Sequence, residues 1–393
     1  MTTKTSFNIV DPLPQGTVLL AASAGTGKTW TISAVCAKAI ATGMVNIESL
    51  LLVTFNRSAA RELRGRVYER LVSTASLLAG RRKPADACDD SVMSLGAEGL
   101  KRVEAALDSF DRAVITTTHE FASRMLAELG VLSDHDPSSV LMADLTPVAN
   151  EVSDDFYLAR HLDADRPPSV RDKRDLSRDV AVRYGEVPIA TDMEAMSPDA
   201  GWAMSVRDEV RKRSRKRAIH TFDDLIGDLV GALRDPVRGP MACATLARRF
   251  SLVMVDEFQD TDPLQWEILH RSFHGHSNLW LIGDPKQSIY AFRGADIYAY
   301  QDAANSAEHV LHLDVNYRAD KPIVEAVNTL FDNAQLGRGI AMEPVTARHQ
   351  TSRIGTDASQ THRYSWSQPF QIRCLQAPLD GQLDATTSDR LVT

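Results

Sequence analysis

Two segments far apart in the chain carry the residue types that nucleotide chemistry needs. In Ser251-Leu-Val-Met-Val-Asp-Glu-Phe-Gln-Asp-Thr-Asp-Pro-Leu-Gln265 an apolar run ends on adjacent carboxylates, Asp256 and Glu257. A buried strand tolerates two acids at its end only where something offsets their charge, and a magnesium nucleotide is the usual partner. In Ala22-Ser23-Ala24-Gly25-Thr26-Gly27-Lys28-Thr29 the spacing is that of a phosphate-binding loop, with alanine in place of the usual first glycine. Gly25 and Gly27 let backbone amides converge on phosphate oxygens, and the helix that follows offers its positive end. Lys28 is expected to neutralise the β and γ phosphates, and Thr29 to ligate the metal. Asp256 would hold the same ion, directly or through water, and Glu257 would orient and deprotonate an attacking water. ATP and Mg2+ are therefore the expected ligands. The plainer alternative, a strand ending on acids that cap a helix, explains neither Gln259 nor the Asp260-Thr-Asp-Pro263 extension.

A third segment, Gly283-Asp-Pro-Lys-Gln-Ser-Ile-Tyr-Ala-Phe-Arg-Gly-Ala-Asp296, sets an amide beside aromatics and a cation. Gln287 at a strand end can reach a γ phosphate. Tyr290 and Phe292 can stack on bases, with Arg293 adding charge or stacking. Taken alone, two such aromatics are core residues more often than base platforms.

These residues need elements to position them. Thr17–Ser23 reads as a buried strand, followed by a helix over 29–41, and Ser49–Phe55 as a second strand before a helix from Ser58 to Val67. A third strand, Ala113–Thr117, precedes a helix beginning near His119, and strands return at Leu252–Val255 and Leu279–Ile282. Alternation of strand and helix, with the phosphate loop after the first strand, predicts an α/β fold: a P-loop NTPase domain with a parallel sheet covered by helices on both faces. Between Gly130 and Ala218 the pattern weakens, which predicts a mostly helical insertion ending in the basic run Arg211-Lys-Arg-Ser-Arg-Lys-Arg217. That run either tracks a phosphate backbone or is a solvated helix face. Thr221-Phe-Asp-Asp-Leu-Ile226 opens another helix. The expected division is a first domain over 1–129 and 219–300, the insertion over 130–218, and an incomplete second domain with its tail over 301–393.

The chain has 393 residues, 44% of them hydrophobic, and a net charge of −8, so any grip on nucleic acid must come from local patches. No apolar run approaches the roughly 20 residues of a membrane helix, and the start lacks a signal-peptide core; a cytoplasmic protein without a membrane partner is expected. Cys36, Cys88, Cys243 and Cys374 are too scattered for a CxxC pair and are expected as small hydrophobes or free thiols.

The order of these motifs resembles the UvrD/Rep class of superfamily 1 helicases, and within it most closely the RecB-type β subunit of exonuclease V. The resemblance rests on the phosphate loop, Leu51-Leu-Val-Thr-Phe-Asn-Arg-Ser-Ala-Ala-Arg-Glu-Leu-Arg-Gly-Arg66, Thr117-Thr-His-Glu-Phe-Ala-Ser-Arg-Met125, the segment from Thr221, the acidic segment, the segment from Gly283 and Asn316-Tyr-Arg318. It implies that Phe55 and His119 line a single-strand channel with Tyr290, Phe292 and Arg293, while Thr54 and Arg57 lie near the strand's backbone. It makes Arg318 a contact to the γ phosphate and puts Gln15 near adenine. It also implies 3′ to 5′ DNA unwinding in double-strand break and recombinational repair, single-stranded or duplex-end DNA as substrate, and RecC/RecD-like subunits as partners.

The pattern breaks after Asn316-Tyr-Arg318. The family's later DNA-contacting segment and its late arginine have no counterpart, so the resemblance implies a first RecA-like motor domain over 1–129 and 219–300 and only the opening of a second RecA-like motor domain from 301. Absence of a finger-type arginine can cost about a thousandfold or more in phosphoryl transfer. A nucleotide- and DNA-binding or partner-binding remnant without unwinding is therefore the alternative to a motor. Exposed apolar surface around Val324–Leu330 is expected for an incomplete second domain.

Overall fold

The computed structural model describes residues 5–133, 135–136, 139–162, 165–183, 198–288, 296–337, 340–351 and 353. They divide into two units, one within 1–23 and 28–313, the other within 24–27 and 314–393.

In the first unit the runs Thr17–Ala22, Leu50–Thr54, Val114–Thr117, Leu252–Val255 and Asn278–Gly283 become strands that bury both faces. The elements run β1 (Thr5–Ser6), β2 (Thr17–Ala22), α1 (Lys28–Ala41), β3 (Leu50–Thr54), α2 (Arg57–Leu78), α3 (Ala87–Val92), α4 (Gly96–Asp108), β4 (Val114–Thr117) and α5 (Thr118–Leu129). They continue with β5 (Val140–Leu141), α6 (Thr146–His161), α7 (Val170–Arg178), α8 (Pro198–Lys216), β6 (Ile219–His220), α9 (Phe222–Arg234) and α10 (Gly239–Arg249). The unit closes with β7 (Leu252–Val255), α11 (Pro263–Phe273), β8 (Asn278–Gly283), α12 (Ile297–Ser306) and β9 (His309–Leu313). Seven strands form one sheet in the order β1-β9-β2-β8-β7-β3-β4, with every neighbouring pair parallel. Alternate residues feed two cores. Val18, Leu20, Leu50, Leu52, Met254 and Ile282 pack with residues of α1 to α4. Leu19, Leu51, Val53, Val255 and Leu281 pack with residues of α5 and α9 to α12. Because all seven strands point the same way, the segments after β2, β3, β4, β7 and β8 emerge at one edge, where ligands bind in open parallel sheets.

Local signals set several helix starts. Asn56, Thr117, Thr221 and Asp262 each accept from a backbone N–H of the first turn, and Thr221 forms a capping box with Asp224. Helix α2 runs well past the expected Val67, because Leu63, Val67, Leu71, Thr74 and Leu77 keep one buried stripe. Helices α3, α4 and α10 carry no motif and were not anticipated. Lys38 of α1 is buried, and its ammonium donates to the carbonyls of Ile9, Val10 and Asp11 at 2.7, 3.1 and 2.6 Å. Cys36 and Cys88 pack in the core, where burial pushes their thiols up to about 12 and about 11; Cys374 lies outside the described residues.

The described residues between α5 and α9 are mostly helical, with a small core of Leu145, Val148, Ala149, Val152, Trp202, Val206 and Val210. Parallel pairing of β5 with β6 ties its entry to its exit. The basic run is partly neutralised by this segment's own acids: Arg213 binds Glu151, Asp155 and Glu209, and Arg217 binds Glu151. Among the described residues no helix is long and apolar enough to cross a membrane.

The second unit carries β10 (Val315–Asp320), α13 (Lys321–Leu330), β11 (Gln335–Gly337), β12 (Ile340–Ala341) and β13 (Thr346–His349), with β10 parallel to β13. Asn316-Tyr-Arg318 therefore lies on a strand. Val324 is buried, Ile323 and Val327 are half-buried and Leu330 is exposed, so α13 shows part of its apolar face.

Candidate nucleotide site and adjoining groove

The loop after β2 takes left-handed backbone at Gly25 (φ 81°) and Gly27 (φ 89°), which side chains disfavour, and Lys28 then opens α1. Lys28 Nζ lies 2.6 Å from Glu257 Oε2. Glu257 is itself left-handed, φ 53° and ψ 42°, a conformation uncommon for a residue with a side chain and frequent at functional sites. Its N–H donates to Asp256 Oδ1 at 3.0 Å. Gln259 Nε2 also donates to Glu257 Oε2, at 2.9 Å. At the end of β8, Gln287 Nε2 donates to Asp284 Oδ2 at 2.8 Å, and Lys286 pairs with the same carboxylate.

Thr29, Thr54, Asp256, Glu257, Asp260 and Gln287 line a single cavity of about 570 Å3. Burial, and then the charge of Glu257, push the Asp256 carboxyl up to about 6, against the opposing pull of Lys28. Asp260 is pushed up to about 6 for the same two reasons. Thr54 Oγ1 and Asp260 Oδ1 are buried without a hydrogen-bond partner. Thr54 was expected beside a DNA backbone. It lines this cavity, 1% exposed, as the last residue of β3.

A larger groove of about 1110 Å3 adjoins the helical segment and collects Phe55, Arg57 and His119. Phe222 also lines it, 38% exposed, with its ring edge-on to His119 at 5.9 Å. Phe222 was missed as a site residue; an aromatic placed directly after the helix cap was the available signal. Arg207 and Arg211 add positive charge, while Asp223, Asp224 and Asp262 make the wall mixed in sign. Phe55 and Asn56 line both the groove and the carboxylate cavity. Tyr290, Phe292 and Arg293 lie outside the described residues.

Gln15 is not beside the phosphate loop. It precedes β2, and its neighbour Gly16 bonds Asn278 and Leu279 at the start of β8, the opposite edge of the sheet. The six residues of β2 separate it from the loop, roughly 20 Å of strand. In the second unit, Asn316 Nδ2 donates to the Ala24 carbonyl at 3.0 Å and Tyr317 N–H to the Gly25 carbonyl at 2.8 Å. A Cβ on Gly25 would meet Arg318 Cβ at 2.8 Å.

The sequence profile of the UvrD/REP helicase N-terminal domain matches residues 2–308. The RecBCD enzyme subunit RecB of Mycolicibacterium smegmatis is 38% identical over 366 residues, 88% of this chain and 33% of that protein. The subunit of the same name from Mycobacterium tuberculosis is 36% identical over 388 residues, 94% of this chain and 34% of that protein. The Escherichia coli subunit is 41% identical over 145 residues, 36% of this chain and 12% of that protein. The chain spans about a third of the length of the mycobacterial relatives. The profile covers the loop, six of the sheet's seven strands and the carboxylates, and the chain belongs to the UvrD/REP helicase N-terminal domain family.

Proposed function

We propose that this chain is the ATP-driven part of a 3′ to 5′ DNA helicase that acts in double-strand break and recombinational repair. The observation that carries the reading is the shared wall: Phe55 and Asn56 line both the carboxylate cavity and the groove, which puts the proposed nucleotide and DNA sites side by side. The donor set fits a magnesium nucleotide. Thr29 and Asp256 offer only oxygen, as a hard cation requires, and the raised Asp256 carboxyl marks a position where positive charge is favourable. Bound magnesium would neutralise phosphate charge during transfer.

In this reading Ala22 to Gly27 give backbone amides to phosphate, and Lys28 leaves Glu257 for the phosphates. Glu257 then takes a proton from water, and Gln287 and Arg318 sense the γ phosphate. Phe55, Arg57, His119 and Phe222 hold single-stranded DNA in the groove, where rings stack on bases and Arg57 meets phosphate. Tyr290, Phe292 and Arg293 belong to the same proposed surface. The division into a motor domain over 1–129 and 219–300, an insertion over 130–218 and the start of a second motor domain from 301 is part of this proposal. So is assembly with RecC/RecD-like subunits, since the relatives are named as a subunit of the RecBCD enzyme.

Binding tests the first half of the reading. A fluorescent ATP analogue is expected to bind the purified chain with magnesium, and Lys28→Ala to weaken it about a hundredfold or more, by loss of a charge-assisted phosphate contact. Equal binding by both proteins would remove the phosphate-loop assignment.

A further inference from the structure

We propose that Gln259 is a positioning residue for Glu257, holding the carboxylate that activates water; this rests on the hydrolytic reading above. Gln259 is 2% exposed and lies in the single turn Phe258–Asp260 directly after Glu257. Its side-chain amide is used at both ends: Nε2 donates to Glu257 Oε2 at 2.9 Å, and Oε1 accepts from Asp284 N–H at 2.9 Å. A backbone N–H only donates and an ionised carboxylate only accepts, so a single amide orientation satisfies both partners. The Gln259 carbonyl also accepts from Ser288 Oγ at 3.2 Å. Gln259 thus fastens Glu257 to the end of β8, where Asp284 in turn holds Gln287.

Gly283 makes room for this clamp. A Cβ there would lie 2.5 Å from Gln259 Oε1 and 3.0 Å from its backbone nitrogen. The other donor to Glu257 Oε2 is Lys28 at 2.6 Å, the group that incoming phosphates attract. Once Lys28 turns to phosphate, Gln259 is the side-chain donor that keeps Glu257 in place. A reacting group displaced by about 1 Å costs about a hundredfold in rate.

The test compares the full chain with Gln259→Glu and Gly283→Ala. Gln259→Glu keeps an acceptor for Asp284 N–H but replaces the donor to Glu257 with a like charge. Gly283→Ala leaves Gln259 chemically intact and displaces its amide. Both are expected to lower kcat for ATP about tenfold to a hundredfold, with KM and MgADP affinity within about threefold of the parent. Both are also expected to lose the gain in affinity that aluminium fluoride gives MgADP, a readout that needs a positioned Glu257 and no turnover. An unchanged kcat and aluminium fluoride gain in Gln259→Glu overturns the role. So does a parallel fall of kcat, MgADP affinity and melting temperature, which marks a purely structural side chain. A parent chain that binds no magnesium nucleotide overturns the hydrolytic reading itself, and this role with it.

Discussion

Glu257 carries the heaviest demands of any residue in the site, since its carboxylate answers to Lys28 and Gln259 while its backbone is held left-handed. Glu257→Gln keeps the shape and removes the base. It is expected to bind MgATP as the parent does and to lose about 10²- to 10⁴-fold in hydrolysis, read from phosphate release. Unchanged release would take Glu257 out of the base role. Asp256 gives a pH-dependent prediction. Its carboxyl is pushed up to about 6 in the folded chain, above the unfolded value of about 4. The folded state therefore keeps a proton that the unfolded chain has released, and this contribution to stability is present below about pH 4 and lost as pH rises through about 6. Asp256→Asn is expected to raise the melting temperature of the nucleotide-free protein above pH 6 and to leave it unchanged at pH 4. Equal shifts at both pH values would contradict this origin of the strain.

At the scale of elements, α1 is anchored by more than its apolar face. Lys38 gives its three donors to carbonyls of the segment before β2, and burial pulls its amine below the ordinary lysine range. Lys38→Met fits the volume and orphans those carbonyls, at a cost of about 1–3 kcal/mol in urea unfolding; no loss would mean that the N-terminal segment finds other donors. Such contacts also mark the limit of what the sequence discloses. The sheet was legible because Leu50–Val53 and Leu252–Val255 are uniformly apolar, and the carboxylate site because its motifs follow strands that all end at one edge. Where Gln15 lies relative to the phosphate loop depends on β2, whose six residues separate the two. The burial of Thr54 was not legible, because its direction depends on register within the sheet. The partners of Arg213 and Arg217 were invisible, since Glu151 lies more than sixty positions away on another helix.

For the whole molecule, the proposed coupling of nucleotide to DNA rests on the Phe55–Asn56 wall between cavity and groove. The basic run divides accordingly: Arg211 lines the groove, whereas Arg217 is bound to Glu151. Arg211→Gln is expected to weaken binding of single-stranded DNA and to reduce the slope of log affinity against log salt by about 0.7, the value for one phosphate contact. Arg217→Gln is expected to leave that slope unchanged; the reverse pattern would move the DNA path to the outer face of α8. The most direct test of the account is the ATPase rate of the purified chain with and without single-stranded DNA, beside Lys28→Ala. The account predicts turnover that DNA stimulates and that Lys28→Ala abolishes, whereas MgATP binding without DNA-stimulated turnover would contradict it.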